Sequence, residues 1–267
     1  MAPLDPDLDP DDLELDIAVR SPAALADRLV MLAAVCRRAF LEHGLDAPED
    51  DSDDDTDDRP DDPETQRYDL AAWLRDEGIA ESAANYELDF IDAPVGAVGE
   101  ADAALASWES ESLVAVAWAA GLIPELPGYA SPADPALILS LVPDAWDKTA
   151  AFRAELSPLD DQTVASARES AELWYWRAGV EAMARSASRS ESAHLRKIAA
   201  ETAAEAKAAG LLADTAKGDF AIGGNPISRI DDDALDILAS IAERRLRALN
   251  WCCGFGESWA DAPLDLD

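Results

Sequence analysis

Positive charge is scarce in this sequence. Lysine and arginine together number 21 against 56 aspartates and glutamates, a formal net charge of −35 over 267 residues. Phosphate recognition needs a concentrated positive field, so no nucleic-acid partner is expected. Lysine is rarest: Lys148, Lys197, Lys207 and Lys217 are the whole set, and every other cation is arginine. Cysteine occurs as Cys36, Cys252 and Cys253, an odd number that makes no disulfide framework. With no Cys-x-x-Cys pair and histidine only at His43 and His194, no metal site is expected. Long apolar runs are missing too. The best, residues 113–123, is about half the length needed to cross a bilayer, so no membrane role is expected. Residues 1–16 are acidic and carry prolines, without the basic start and apolar centre of a secretory signal. A reducing, cytoplasmic location is therefore expected.

What is abundant is acid, and it runs through helical segments as well as tails. Molar salt shrinks the screening length to about 3 Å, so a carboxylate surface no longer drives the fold apart. Carboxylates also hold solubility better than lysine does. Arginine spends its charge in planar, paired hydrogen bonds rather than on a flexible stem. The composition therefore predicts a halophilic microbe. The rival reading is an acidic protein that engages basic partners.

Two segments cannot bury enough apolar area to offset the ordering of their backbone: residues 1–19, and an insertion over 45–66 made almost entirely of Asp, Glu, Pro, Ser and Thr. Both are expected to be disordered and solvated. The remainder of 20–267 reads as one all-α domain, an irregular bundle of seven or eight helices. Ser21 and Pro22 start the first, and Leu25, Leu29, Leu32, Cys36 and Phe40 follow at steps of three and four before Gly44. Further helices are predicted over 68–77, around Tyr86 and Phe90, and over 101–120, 148–156, 160–187, 190–209 and 232–253. Prolines 124, 127, 132 and 135 mark a loop. Residues 220–230, with Gly223 and Gly224, form a connector. No long period-two stretch argues for a sheet.

The last helix is the most informative. Leu235, Leu238, Ala242, Arg245, Leu249 and Cys252 fall in one line, so Arg245 interrupts an apolar stripe. A buried guanidinium must be paired, and some carboxylate elsewhere should meet it. Asn250 needs partners for the same reason. Around these stand Ala248, Leu249, Asn250 and Trp251, then Trp259 and Asp261. This pattern resembles the closing signature of the family called domain of unknown function 4272. Gly218-Asp219-Phe220 through Gly224-Asn225-Pro226 is similar to the family's glycine-containing lead-in. Trp108, Glu111 and Leu113 with Trp118 and Gly121 are similar to its central helix, and Trp73, Leu74, Glu77 and Gly78 to an earlier one. The resemblance spans about 20–265 without the insertion. Arg244 departs from it, standing where the family places Glu, and Glu243 lies one step earlier. The resemblance implies no assigned activity.

The candidate cluster is therefore Arg245, Asn250, Trp251, Trp259, Asp261 and Glu111, with Arg177 beside Trp176 as an outlying member. Its structural reading has the Trp259 tail folded back over the last helix, with Arg245 met by Asp261 or Glu111. Its functional reading is a small pocket in which arginine recognises a carboxylate or phosphate. Cys252 and Cys253 lack a neighbouring histidine and read as filler. His43 suits a helix C-terminus, His194 a polar face, and Gly223-Gly224 a turn. No serine-hydrolase elbow, phosphate loop or dinucleotide fingerprint occurs, so no catalytic residue or cofactor is assigned. The sequence reads as an interaction or structural module rather than an enzyme. A ligand binder built on the C-terminal cluster and an acidic inhibitor of a basic effector protein are the alternatives.

Overall fold

A computed structural model describes residues 17–44 and 62–265. Most of the expected tail and insertion lies outside the described residues. Their inner edges do not. Ala18 and Arg20 donate their backbone N–H groups to the carbonyls of Cys253 and Cys252, and Ile17 and Val19 pack on the core. At the insertion's other edge, residues 63–66 are already helical.

The architecture is all-α, with a small β element. Ten α-helices occur among the described residues. Helix α1 (Pro22–His43) has Ser21 as its N-cap, accepting the Ala24 N–H at 3.3 Å, and ends at Gly44 with φ 65°. It is buried almost all round, including Arg28 and Arg38, and forms the axis of the core. Helix α2 (Pro63–Asp76) begins earlier than the sequence reading placed it: Asp62 caps it and Pro63 opens it. After a short 3₁₀ turn comes α3 (Asn85–Asp92).

The helix expected over 101–120 is two helices, α4 (Glu100–Ser107) and α5 (Glu109–Ala119), meeting at Trp108. Every residue of α5 is buried. A short α6 (Pro135–Leu139) lies in the proline-marked loop, capped by Asp134. The split and this extra turn account for the difference from eight helices. Then follow α7 (Thr149–Glu155) and the 26-residue α8 (Asp161–Ser186), capped by Asp160. Next is α9 (Arg189–Ala208), opened by a Ser188–Glu191 capping box.

The connector is a three-strand antiparallel meander, β1 (Thr215–Ala216), β2 (Asp219–Ile222) and β3 (Asn225–Pro226). Thr215 faces Phe220, and Ala221 faces Pro226. Both hairpin turns use positive φ at their two central residues, Lys217-Gly218 and Gly223-Gly224, as tight primed turns require. Strands of two to four residues leave no alternating pattern to read.

Helix α10 (Asp232–Cys252) closes the fold, capped by Asp231. It packs against both α5 and α8. Two apolar clusters result. The larger gathers α1, α2, α5 and the C-terminal half of α10. The smaller gathers α8, α9, the meander and the N-terminal half of α10 around Phe220 and Ile227. No helix among the described residues is long and apolar enough to cross a membrane.

Candidate functional site

All six members of the α10 stripe, Leu235 to Cys252, face inward. Arg245 therefore enters the core with its guanidinium, fully excluded from solvent. Its partner is Glu111, in the first turn of α5 and equally buried. Arg245 Nε donates to Glu111 Oε2 at 2.8 Å, and Nη2 lies 2.7 Å from the same oxygen. Glu111 Oε1 accepts the Ala133 backbone N–H at 2.6 Å. Arg245 Nη1 donates to the carbonyls of Pro127 and Gly128. Backbone groups thus meet the pair on both sides, which makes a buried ion pair tolerable, while Arg245 Nη2 has only the charge of Glu111 beside it and no hydrogen-bond partner.

What covers Arg245 is this loop, not the C-terminal tail. Tyr129 lays its ring 4.9 Å from the guanidinium carbon and stacks on Trp174, with centroids 4.8 Å apart. Trp174 meets Phe220 edge-on at 5.2 Å, so aromatic contacts run from Arg245 into the smaller apolar cluster. Burial pushes the Tyr129 phenol up to about 12, although Arg245 pulls the other way. The phenol is therefore neutral near pH 7. A cavity of about 560 Å³ opens beside Tyr129 and Trp174, and Arg245 is not among its lining residues.

Asn250 lies apart from this pair. Its Oδ1 accepts from Arg168 Nε at 2.7 Å, and its Nδ2 donates to the Pro263 carbonyl at 2.8 Å. The tail thereby closes over Asn250 and Trp251. Trp259 is 2 % exposed and meets Trp251 edge-on at 5.6 Å. Arginines bracket the two rings: Arg20 lies 4.6 Å from Trp251, while Arg28 and Arg247 lie 4.7 and 5.3 Å from Trp259. Asp261 is exposed and accepts from Ser258 Oγ at 2.7 Å, so the carboxylate that meets Arg245 is Glu111 and not Asp261. Arg177 belongs to the smaller cluster. It donates twice to Asp219, at 2.8 and 2.9 Å, and once to Glu181 at 3.1 Å. Arg185 and Arg196 share the same Glu181. Burial works against both acids, yet the Arg177 and Arg196 guanidiniums hold Glu181 below the usual carboxylate range. Arg177, with the Ser228 N–H, does the same for Asp219.

The seven residues read as one cluster therefore occupy three places: the Arg245–Glu111 pair, the Asn250–Trp251–Trp259 seam with Asp261 at its edge, and the Arg177 network. Residues outside that reading complete each: Tyr129 and Ala133 for the first, Arg168, Arg20 and Arg28 for the second, Asp219 and Glu181 for the third. Arg28 had a legible signal. It falls three residues after Leu25 and four before Leu32, inside the α1 stripe, and it pairs with buried Glu87 at 2.6 Å. Arg244, at the family's glutamate position, pairs instead with Glu109 at 2.5 Å.

The remaining reactive residues lack the geometry of a nucleophile. All three cysteines are buried and free. Burial raises each thiol, Cys253 to about 11, so the thiolate is suppressed. His43 ends α1, and His194 is exposed. Among the described residues no three His, Cys, Asp or Glu side chains are placed to hold a metal ion.

Comparison with curated proteins and with solved structures returned no match. Comparison with protein families matched a domain of unknown function, DUF4272, over residues 3–200. The match contains the Trp73, Trp108, Glu111 and Trp118 elements. It ends before α10, so the C-terminal signature from Arg245 to Asp261 lies beyond it. With about three quarters of its length inside the match, the chain belongs to the DUF4272 family of unknown function.

Proposed function

We propose that the chain is a helical interaction module of a halophile's cytosol, and that Arg245 belongs to its framework rather than to a ligand site. One observation carries this reading: Arg245 has no exposed surface, and its partners are Glu111 and the 127–129 loop. Recognition of a carboxylate or phosphate would require that pair to open. The surface, in contrast, carries large exposed apolar side chains, among them Tyr86, Leu105, Leu137 and Trp146. Trp146 holds φ at 73°, a strained backbone for a bulky residue. The neighbouring Arg37–Asp144 ion pair and the Trp73 indole N–H on the Asp147 carbonyl fix that segment.

Free, buried thiols suit a reducing compartment. Guanidinium–carboxylate pairs inside and unpaired acid outside suit molar salt. A chain of net charge −35 offers no concentrated positive field for phosphate recognition.

Affinity capture from lysate at native salt tests the reading, using wild type, Arg245→Met, Leu105→Ser and Trp146→Ser, each first shown to be folded. Wild type and Arg245→Met should retain the same partner, and at least one surface variant should lose it. Recovery of no partner overturns the reading. So does loss of the partner from folded Arg245→Met while both surface variants keep it.

A further inference from the structure

Between α3, α4 and the middle of α10 lies a groove of about 500 Å³. Its floor is apolar, from Val35, Phe90, Val98 and Ala106. Tyr86 and Leu105 stand on its rim, 50 % and 56 % exposed. Glu109, 8 % exposed, is among its lining residues. One Glu109 oxygen is taken by Arg244, and the other, Oε2, is buried with no hydrogen-bond partner among the described residues.

The charges around the groove are unevenly committed. Glu87 is neutralised by Arg28. Arg244 is held by Glu109, and Arg247 donates to the Tyr86 hydroxyl and the Trp259 carbonyl. Asp89 and Asp102 line the exposed rim and make no side-chain ion pair among the described residues. Arg247 has no carboxylate partner among the described residues either, so two unpaired acids stand against one unpaired cation, and the remaining charge beside the apolar walls is net negative. A buried carboxylate oxygen without a donor is unfavourable, and a donor brought by a ligand relieves it. Arginine and lysine fit both halves of this chemistry, with a methylene stem for the apolar wall and a cation for the acid.

We propose that this groove docks an apolar segment of a partner protein carrying arginine or lysine, whose cation reaches Glu109 while its apolar neighbours pack on Phe90, Tyr86 and Leu105. A macromolecular partner is favoured over a free amine because Tyr86 and Leu105 extend the apolar contact outside the cavity, as interface anchors do. The inference rests on the module reading and names where that module binds.

The test is selection of short random peptides displayed against the full chain in molar KCl, followed by titration of a labelled selected peptide by fluorescence anisotropy. Selected peptides should carry Arg or Lys beside bulky apolar residues. Replacing that cation with citrulline or norleucine should weaken binding at least about tenfold, as should Glu109→Gln and Leu105→Ser. Leu105 is on the surface, so its variant decides the matter even where Glu109→Gln disturbs the fold. Selection of no peptide, selection of peptides without a cation, or binding that Leu105→Ser leaves unchanged overturns the proposal. Peptides lost on Trp146→Ser instead would remove the groove while leaving the module reading in place.

Discussion

Five arginines are buried among the described residues: Arg28, Arg38, Arg168, Arg177 and Arg245. Each meets a carboxylate, and each also reaches a backbone carbonyl, an amide or a second acid, which a lysine ammonium could not do in one plane. Removing one partner leaves a charge without compensation. Arg245→Ala and Glu111→Ala should each cost about 3–5 kcal/mol in denaturant titrations at fixed salt. Arg245→Met with Glu111→Leu should cost clearly less than the two single losses added together, because no charge is then stranded. Equal, additive losses would show the pair to be uncoupled. A second residue-scale expectation concerns acid. Lys148 Nζ, then the Thr149 N–H and hydroxyl, draw Glu77 down from 4.5 to about 2. Its folded value lies below its unfolded one, so its stabilisation is present above about pH 4.5 and is lost as pH falls toward 2. Glu77→Gln should flatten the fall of melting temperature across that interval. The signal for Arg245 was legible because a cation broke an apolar stripe. The identity of its partner was open between Glu111 and Asp261, since α5 is 134 residues away and nothing local joins them.

At the scale of elements, helix ends were the most legible feature. Ser21-Pro22, Asp160, Asp231 and Gly44 act locally, through one side-chain oxygen or one positive φ, and so leave their mark in a few adjacent residues. Asp62-Pro63 and Asp134-Pro135 carry the same signature but stand in acidic or proline-marked surroundings that read as solvated. The break at Trp108 left no such mark, because its dihedrals, φ −68° and ψ −12°, remain right-handed. Glycine stops differ in what surrounds them. Gly78 and Gly121 both have positive φ, 75° and 79°, but a Cβ on Gly78 meets open space, while one on Gly121 would lie 2.2 Å from the Ser157 carbonyl oxygen. Gly78→Ala should cost about 1–2 kcal/mol from backbone conformation alone. Gly121→Ala should cost several times more or prevent folding, as thermal melts of the two variants would show. Similar melting temperatures would mean that the approach of the Gly121 turn to the linker between α7 and α8 is loose.

At the scale of the whole molecule, charge and completeness decide stability. Surface carboxylates repel over about 30 Å at 0.01 M salt and about 3 Å at 1 M, while closed pairs such as Arg245–Glu111 are screened little. The melting temperature should therefore rise steadily with KCl from dilute to molar. A melt insensitive to salt would separate the acidity from any solvent adaptation. The family match stops at residue 200, yet α10 fills the space between α5 and α8. A chain cut after residue 200 uncovers the fully buried face of α5 and should bind hydrophobic dye and melt without a cooperative transition. A sharp two-state melt would show instead that the matched span folds without α10.

Composition, periodicity and capping residues are properties of neighbours along the chain, and from them the sequence alone determined an all-α chain, most helix limits and an arginine turned inward. Which acid meets that arginine, that a loop rather than the tail covers it, that seven suspected residues lie in three places, and that Glu109, with one oxygen unpaired, lines an apolar groove were decided only by packing. Each of these depends on elements brought together across a hundred residues or more, or on a backbone path between them, and a one-dimensional pattern holds no record of either.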